Sequence, residues 1–166
     1  MDWCFSALDR SFQKQNFDCG QPELNEYLQK YASQNMRKGY GVTFVATKPD
    51  SQIILGYYTA SATSIEFTNI PTNTIKGLPR YPAPAMLIGQ LAVDKTFQNQ
   101  GLGTLLLMHA LSRAVRLSGE LGLFAVRVDA IDLSANLFYQ RYGFVPLVDR
   151  DSALFLPITT IVASRS

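Results

Sequence analysis

The sequence predicts an α/β protein built on a mixed β-sheet. Its 166 residues are 47% hydrophobic and 17% charged, which is typical of a packed globular chain that forms one domain over residues 1–166. Two β-rich runs, 42–47 and 53–62, are separated by a hairpin-like turn, which indicates antiparallel strands. Each of the last two predicted helices directly follows a strand, which indicates parallel pairing within residues 86–130. Together these patterns predict a sheet with both kinds of strand pairing.

The first part of the chain predicts one strand and one helix. A short strand is expected from Trp3 to Asp9. Residues 22–38 predict an amphipathic helix, because Pro22 suits a first helical turn and Gly39 ends the pattern. The residues that follow helical spacing along one face are Leu24, Leu28, Tyr31, Ala32 and Asn35.

The second part of the chain alternates strands and helices after an irregular segment. Residues 69–84 hold four of the eight prolines and predict a long connection of the kind that is usually functional or mobile. A strand over 86–94 then leads into a helix over residues 101–118, which ends at Gly119. The remaining predicted elements are a strand over 124–130, a helix over 134–142, and closing strands over 144–147 and 153–156.

The composition argues against several classes of protein. No apolar stretch approaches the ~20 residues that cross a bilayer, and the start of the chain lacks a secretory signal, so a cytoplasmic location is expected. One histidine and two cysteines, Cys4 and Cys19, argue against a metal site and fit reduced thiols, with a Cys4–Cys19 disulfide as the alternative. The net charge of +2 does not demand a nucleic-acid partner, but the segment from Tyr27 to Pro49 has four basic residues and no acidic one.

The most informative pattern is a glycine-rich turn that lies between the strand at 86–94 and the helix after it. The run Gln98-Asn99-Gln100-Gly101-Leu102-Gly103 places backbone N–H groups at a helix N-terminus, where the helix dipole favours an anion such as phosphate. Two nucleotide-binding motifs do not fit. The dinucleotide fingerprint needs a third glycine where this chain has Leu106, and a P-loop needs a lysine where it has Thr104.

The turn resembles the Gln/Arg-x-x-Gly-x-Gly/Ala motif of the GCN5-related N-acetyltransferases (GNATs), whose turn amides bind the pyrophosphate of acetyl-coenzyme A (acetyl-CoA). Residues 136–144, Asn-Leu-Phe-Tyr-Gln-Arg-Tyr-Gly-Phe, resemble the second signature of that family. The resemblance implies the GNAT fold, a central mixed sheet flanked by helices, with acetyl-CoA as co-substrate and no metal. It implies that the following residues contact the coenzyme: Leu91, Ala92, Val93, Gln98, Asn99, Gln100, Gly101, Leu102, Gly103, Thr104 and Asn136.

Further stretches resemble one subgroup of the family, the acetyltransferase toxins of type II toxin–antitoxin modules. These stretches are residues 17–20, 24–28, 55–59, 78–82, 90–94 and 154–157, within a resemblance that runs from about residue 5 to 158. The resemblance implies that the chain acetylates the α-amino group of aminoacyl-tRNA and thereby blocks translation. It also implies a homodimer and a ribbon-helix-helix antitoxin, through which alone the toxin would meet DNA. One departure is Gln90, where the subgroup commonly has an arginine, and this puts a charge-dependent role of the position in question.

Acetyl transfer to an amine needs an uncharged amine and a proton for the leaving thiolate. A free α-amino group has a pKa of ~7.7–8.0, and esterification of the amino acid lowers it, so a strong protein base is not required. The resemblance assigns the general acid to Tyr139, a phenol that is protonated at neutral pH, although its helical spacing also suits a core residue. His109 is expected to be structural. The candidate tRNA-binding residues are basic side chains that could contact phosphates: Lys30, Arg37, Lys38, Lys76 and Arg80.

Two other functions stay open at the level of sequence. A GNAT that acetylates a small amine, such as a polyamine, would favour an acidic pocket, whereas residues 53–93 offer only Glu66. A regulatory module that binds coenzyme A without catalysis would not need Tyr139. The preferred aminoacyl-tRNA depends on the shape of the pocket, which the sequence does not specify.

Overall fold

The computed structural model describes residues 2–165 and confirms a mixed α/β fold. The strands in that range are β1 Cys4–Ala7, β2 Val42–Thr47, β3 Gly56–Ile65, β4 Ala83–Val93, β5 Ala125–Asp129, β6 Val145–Pro146 and β7 Ala153–Pro157. The α-helices are α1 Pro22–Glu26, α2 Ala32–Arg37, α3 Leu102–Leu117, α4 Leu133–Arg141 and α5 Ile158–Ser164. A π-helical turn, Tyr27–Tyr31, joins α1 to α2, and short 3₁₀ turns cover Phe67–Asn69 and Lys95–Phe97.

The seven strands of the described range form one sheet in the order β1-β2-β3-β4-β5-β7-β6. β4 and β5 are parallel, whereas the pairs β1–β2, β2–β3, β5–β7 and β6–β7 are antiparallel. The parallel ladder joins Ala85–Ile88 to Ala125–Val128 and ends there, but β4 continues to Val93. One edge of residues 89–93 therefore has backbone groups that lie outside the ladder with β5.

The chain divides into two compact units. The first contains residues 2–61 and 89–110, and its core packs Leu28 and Ala32 of the long helical segment against Val45 and Tyr57 of the sheet. On the other helix of this unit, Leu106 packs so close to Gly56 that an added Cβ would lie 2.9 Å from Leu106 Cδ1. A glycine at position 56 therefore lets α3 approach β3.

The second unit contains residues 62–88 and 111–165. Its buried core includes Ala85 and Ala125 of the parallel pair together with Phe155 of β7. The helix α5 was not predicted from the sequence, and it buries Ile158 and Ile161. That burial offsets the weak helix propensity of a segment rich in β-branched residues. The sequence prediction of one domain is not tested by this division and stays a prediction.

The predicted helix over residues 22–38 is present but contains an irregular turn. The N–H of Ala32 bonds to the carbonyl of Tyr27, five residues back, instead of to the residue four back. The extra residue turns Tyr31 outward, and it is 44% exposed, so its predicted place on the apolar face is wrong. Gly39 ends the segment as expected, with a φ of +77°.

The other predicted elements are present with shifted ends. The strand expected over 53–62 lies at Gly56–Ile65, and the strand expected over 86–94 begins earlier, at Ala83. The irregular segment is accordingly shorter than the predicted 69–84. Both cysteines are free thiols. Within residues 2–165, no helix has the length and apolar character that crossing a membrane requires.

Candidate functional site

The glycine-rich turn leaves N–H groups at the start of α3 without an intrahelical acceptor. The first bond of the helical pattern joins Leu105 N to Gly101 O at 3.1 Å. The N–H groups of Leu102 and Gly103 precede this bond, so the helix offers them no carbonyl acceptor. The first turn of α3 has no acidic side chain. Asn99 and Gly101 have φ angles of 63° and 88°, a left-handed region that glycine adopts without strain. The turn can therefore receive an anion on backbone groups.

The side chain of Gln98 holds this turn in place. Its Nε2 donates to the carbonyl of Cys19 at 2.8 Å and to the carbonyl of Val93 at 2.9 Å. Since an amide nitrogen has two hydrogens, both are occupied by these carbonyls. Gln98 is one of the expected coenzyme contacts, and since its side-chain hydrogens bond to these carbonyls, a contact from its backbone N–H stays a prediction. Its role here is to connect the end of β4 and an N-terminal loop to the turn.

Asp94 connects the same two segments from its buried carboxylate. Its Oδ1 accepts from the N–H and hydroxyl of Thr96, at 3.0 and 2.7 Å, and its Oδ2 accepts from the N–H of Asp18 at 3.1 Å. The N–H of Lys95 donates to the carbonyl of Asp18 at 2.8 Å. We call these bonds between residues 18–19 and 93–98 the clasp. Sequence reasoning missed it, although an aspartate two residues before a threonine is a common capping pattern.

Asp18 adds an ion pair to the clasp. Its Oδ2 lies 3.0 Å from Lys95 Nζ, and its Oδ1 accepts from Gly20 N and Asn25 Nδ2. The Lys95 ammonium and these two donors lower the pKa of Asp18 from an ordinary 3.8 to about 2. Burial alone would raise the pKa of Asp94, but the hydrogen bonds from Thr96 and Asp18 outweigh it and lower that pKa. Both groups are therefore carboxylates at neutral pH.

The end of β4 is held by the burial of Ala92 and by two hydrogen bonds between Gln90 and Thr59. Ala92 is buried in the core of the first unit, while Leu91 and Val93 are half-buried. The N–H of Gln90 donates to Thr59 Oγ1 at 3.0 Å, and that hydroxyl donates to Gln90 Oε1 at 2.6 Å. The residues predicted to offer backbone groups to the coenzyme, Leu91 to Val93, therefore lie on a strand whose backbone is held just before them.

Tyr139 lies on α4 and is 6% exposed. Its ring packs against Phe138 and Phe144, with ring centroids 5.3 and 5.5 Å apart. Burial raises the pKa of this phenol far above its ordinary value, so it is protonated throughout the physiological range. No residue between 2 and 165 forms a hydrogen bond with the Tyr139 hydroxyl. The hydroxyl is also not among the unpaired side-chain atoms of that range that are inaccessible to solvent. The oxygen of Tyr139 is therefore not used by another residue of that range.

Asn136, the other predicted site residue of α4, is hydrogen-bonded within its own unit. Its Nδ2 donates to the carbonyl of Asp151 at 2.8 Å, and its Oδ1 accepts from Gln140. These bonds tie α4 to the loop that precedes β7. A contact from Asn136 to the coenzyme stays a prediction.

The predicted tRNA-binding residues are all exposed and fall into two groups. Lys30, Arg37 and Lys38 lie along the segment formed by α1, the π-helical turn and α2, in the first unit. Lys30 also lies 3.7 Å from Glu26, so part of its charge is locally balanced. Lys76 and Arg80 lie in the loop before β4, in the second unit.

The one histidine of the chain is a packing residue, as expected. His109 Nδ1 lies 2.7 Å from the hydroxyl of Tyr58, and Phe5 stacks on the imidazole with centroids 5.0 Å apart. In the part of the chain that the structure describes, no three His, Cys, Asp or Glu side chains are grouped so that they could hold a metal ion.

Comparisons with known proteins show the family to which this fold belongs. The model of the acetyltransferase (GNAT) domain family matches residues 39–146. A tRNA-acetylating toxin of Mycobacterium tuberculosis (strain ATCC 25618 / H37Rv) is 33% identical over 129 residues, which cover 78% of this chain and 76% of the relative. The matched region contains the glycine-rich turn, the end of β4 and Tyr139.

Solved structures of toxins superpose on almost the entire chain. A tyrosine-to-phenylalanine mutant of KacT has a TM-score of 0.93 at 28% identity and covers 99% of both chains. AtaT complexed with acetyl-methionyl-tRNAfMet has a TM-score of 0.93 at 29% identity and covers 99% of this chain and 100% of its own.

A tyrosine-to-phenylalanine mutant of AtaT, bound to the C-terminus of the antitoxin AtaR and acetyl-CoA, has a TM-score of 0.84 at 28% identity, covering 99% of this chain and 98% of its own. The family model covers more than half of the chain, and the relatives named here are toxins. The chain therefore belongs to the GNAT acetyltransferase family, and within it to the subgroup of toxins.

Proposed function

We propose that this chain is a toxin that transfers the acetyl group of acetyl-CoA to the α-amino group of aminoacyl-tRNA. The observation that carries the proposal is the likeness, over 99% of the chain, to AtaT complexed with acetyl-methionyl-tRNAfMet. The 33% identical tRNA-acetylating toxin supports the same substrate. An acetylated α-amine can no longer attack a peptidyl ester, so the modified tRNA cannot accept a growing chain and translation stops.

The coenzyme is assigned to the turn and the strand end. The N–H groups from Gln98 to Thr104 would receive the pyrophosphate, because they begin a helix with no competing acidic side chain in its first turn. Leu91, Ala92 and Val93 would offer backbone groups to the pantetheine arm. The structure of AtaT that contains acetyl-CoA supports acetyl-CoA as the co-substrate.

Tyr139 is assigned as the general acid of the reaction. The neutral α-amine attacks the thioester carbonyl carbon, a C–N bond forms, and the C–S bond then breaks. The Tyr139 phenol gives its proton to the departing sulfur, and the proton lost by the amine nitrogen restores the phenol through solvent. Burial raises the pKa of Tyr139, so the required proton is present at every physiological pH.

The tRNA would be bound through its phosphates by the two basic groups of the surface. The residues assigned to this role are Lys30, Arg37, Lys38, Lys76 and Arg80, all of which are exposed. Phosphate contacts supply affinity without reading the sequence of the tRNA. The choice of the amino acid must therefore be made by other residues.

The remaining assignments concern partners and location. We expect a ribbon-helix-helix antitoxin that alone links the toxin to DNA, supported by the complex of AtaT with the antitoxin AtaR. We expect a homodimer, and the exposed apolar side chains of α4, Leu133 and Leu137, are available for such a contact. We place the activity in the cytoplasm because aminoacyl-tRNA is used there.

The proposal is tested with purified protein, labelled acetyl-CoA and a mixture of charged tRNAs. Label should appear on the amino acid of charged tRNA and be absent from uncharged tRNA. Label transferred to polyamines and not to charged tRNA would favour the small-amine acetyltransferase instead.

Replacement of Tyr139 by phenylalanine is the sharpest variant for the mechanism. Phenylalanine keeps the ring packing but removes the proton donor, so turnover should fall by about 10²–10⁴-fold with little change in the KM of acetyl-CoA. Circular dichroism should show an unchanged fold. Full activity of the variant would contradict the role of Tyr139, and an unchanged cellular phenotype would favour a non-catalytic module.

A further inference from the structure

The side chain of Gln90 is fixed by one hydroxyl of the neighbouring strand. Thr59 Oγ1 donates to Gln90 Oε1 at 2.6 Å and accepts the backbone N–H of Gln90 at 3.0 Å. Two bonds to one hydroxyl determine both the position of the β4 backbone and the orientation of the amide. The amide oxygen faces Thr59, so the amide nitrogen of Gln90 points away from it.

The nitrogen of this amide is available to another molecule. Gln90 Nε2 donates to no residue of the range 2–165. Two side-chain atoms of that range are both inaccessible to solvent and unpaired, Thr43 Oγ1 and Arg127 Nε, and Gln90 Nε2 is not one of them. A polar atom that is neither paired nor sealed is reached by solvent. Gln90 thus presents two N–H donors without a charge, at a position that Thr59 holds fixed.

The location of Gln90 connects it with the proposed reaction. It directly precedes Leu91 to Val93, and it lies beyond Ile88, where the ladder with β5 ends. Consecutive strand residues lie about 3.3 Å apart, so this donor lies next to the residues that the proposal assigns to the pantetheine arm, which carries the acetyl group. The acyl acceptor must approach that group, and a donor beside the arm can contact it.

We infer that Gln90 is a specificity-determining residue for the acceptor, donating from Nε2 to a neutral oxygen of the aminoacyl group. This inference rests on the proposed function. A neutral two-donor group favours acceptors with uncharged side chains and repels the donors of cationic ones. It also gives acidic side chains no full charge to pair with, whereas an arginine at this position would provide one.

Arginine is the most informative contrast at position 90, because it differs from glutamine in both charge and hydrogen-bonding capacity. Arginine has five donors and no acceptor, so at position 90 it could not accept the Thr59 hydroxyl proton. The bond that now orients the Gln90 amide would be lost, and a positive charge would replace a neutral donor. An arginine at position 90 would therefore change the charge of the side chain and also remove the hydrogen bond from Thr59 that fixes its orientation.

The test compares acceptors by single-turnover acetylation, using full-length protein and tRNAs charged with neutral, acidic or basic amino acids. Q90R should raise the rate for acidic relative to neutral acceptors by about tenfold or more. Q90E, which offers only acceptor atoms, should shift the preference toward basic ones. T59V, which releases the amide without removing it, should weaken the preference of the wild type.

The matched control is Q52R, which adds the same charge at an exposed position of the same unit. It should leave the ranking of acceptors as it is in the wild type. An unchanged ranking in all Gln90 variants would overturn the inference. So would an equal loss for every acceptor together with a raised KM for acetyl-CoA, because that pattern indicates a structural role. Failure of the wild type to acetylate any charged tRNA would instead contradict the proposed function, and this inference with it.

Discussion

Two threonines that face each other across neighbouring strands have opposite hydrogen-bonding states. Thr43 and Thr59 are partners in the β2–β3 register, and both are buried. The hydroxyl of Thr59 forms two hydrogen bonds with Gln90. By contrast, Thr43 Oγ1 is inaccessible to solvent and has no hydrogen-bond partner within residues 2–165. Because Thr59 gives its one proton to Gln90, it cannot donate to Thr43, and the Thr43 hydroxyl bonds to no other residue of that range.

This asymmetry predicts opposite effects of the same substitution. Replacing Thr43 by valine removes a sealed, unpaired hydroxyl at almost constant volume, and should stabilise the fold by about 1 kcal/mol. Replacing Thr59 by valine leaves the N–H of Gln90 without its acceptor, and should destabilise it by about 1–2 kcal/mol. Urea denaturation of both variants measures the two differences. A loss of stability in T43V similar to that in T59V would show that the Thr43 hydroxyl is paired in solution.

At the scale of elements, the clasp joins an N-terminal loop to the turn that precedes α3. The carboxylates of Asp18 and Asp94 both take part in it, and both have lowered pKa values. A carboxyl group whose pKa is lower in the folded than in the unfolded state binds fewer protons when folded. Its contribution to stability is therefore complete above the unfolded pKa and is lost as the pH falls through the folded pKa.

The pH dependence of stability should identify Asp18 directly. Between its ordinary pKa of 3.8 and its folded pKa of about 2, the free energy of unfolding should fall as the pH falls. D18N removes the titrating group, so the slope in this window should be smaller than in the wild type. Urea denaturation at fixed ionic strength between pH 2 and pH 5 measures both slopes. D50N, at an exposed carboxylate outside the clasp, is the comparison variant, and equal slopes for D18N and the wild type would contradict the prediction.

Some elements could be predicted closely from the sequence, and the reasons are physical. The helix expected over 101–118 lies at Leu102–Leu117, because its apolar spacing and its flanking glycines act locally. The π-helical turn Tyr27–Tyr31 could not be predicted, since one additional residue in a turn leaves the apolar pattern almost unchanged. The helix α5 depends on the burial of Ile158 and Ile161, which local propensity does not reveal.

The residues proposed for the candidate site come from a pattern in the sequence, but the contacts among them do not. Its glycines and Tyr139 carry a family pattern that can be recognised from residue types alone. The role of Gln98 as a connection between segments depends on Cys19, which is distant in sequence, and no local pattern announces that contact. The same holds for the pairing of Thr59 with Gln90, which are 31 positions apart.

At the scale of the whole molecule, the net charge is small for a protein whose proposed substrate is a polyanion. The chain carries a formal charge of +2, so attraction to tRNA must come from local groups of basic residues. Arg37 and Lys38 lie in a segment without acidic residues nearby in sequence, whereas Lys30 is balanced by Glu26. The three residues should therefore differ in what they contribute to binding.

Binding of charged tRNA should weaken as salt rises, and the slope should report the number of phosphate contacts. R37A and K38A should each reduce the slope of log K against log salt by about 1. K30A should have a smaller effect, since its ammonium is already paired. Filter binding at several salt concentrations measures the slopes, with R10A as an exposed control. Slopes of R37A and K38A that equal the slope of the wild type would place the tRNA elsewhere.

The close packing of Gly89 against Thr59 has a consequence for how this protein can vary. A Cβ at position 89 would lie 2.9 Å from Thr59 Oγ1, so any side chain there would displace the hydroxyl that holds Gln90. A side chain at position 89 would therefore require Thr59 to rotate or to be replaced, and either change would remove the hydroxyl from Gln90. Among homologues, these two positions should change together, and the identity of residue 90 should change with them.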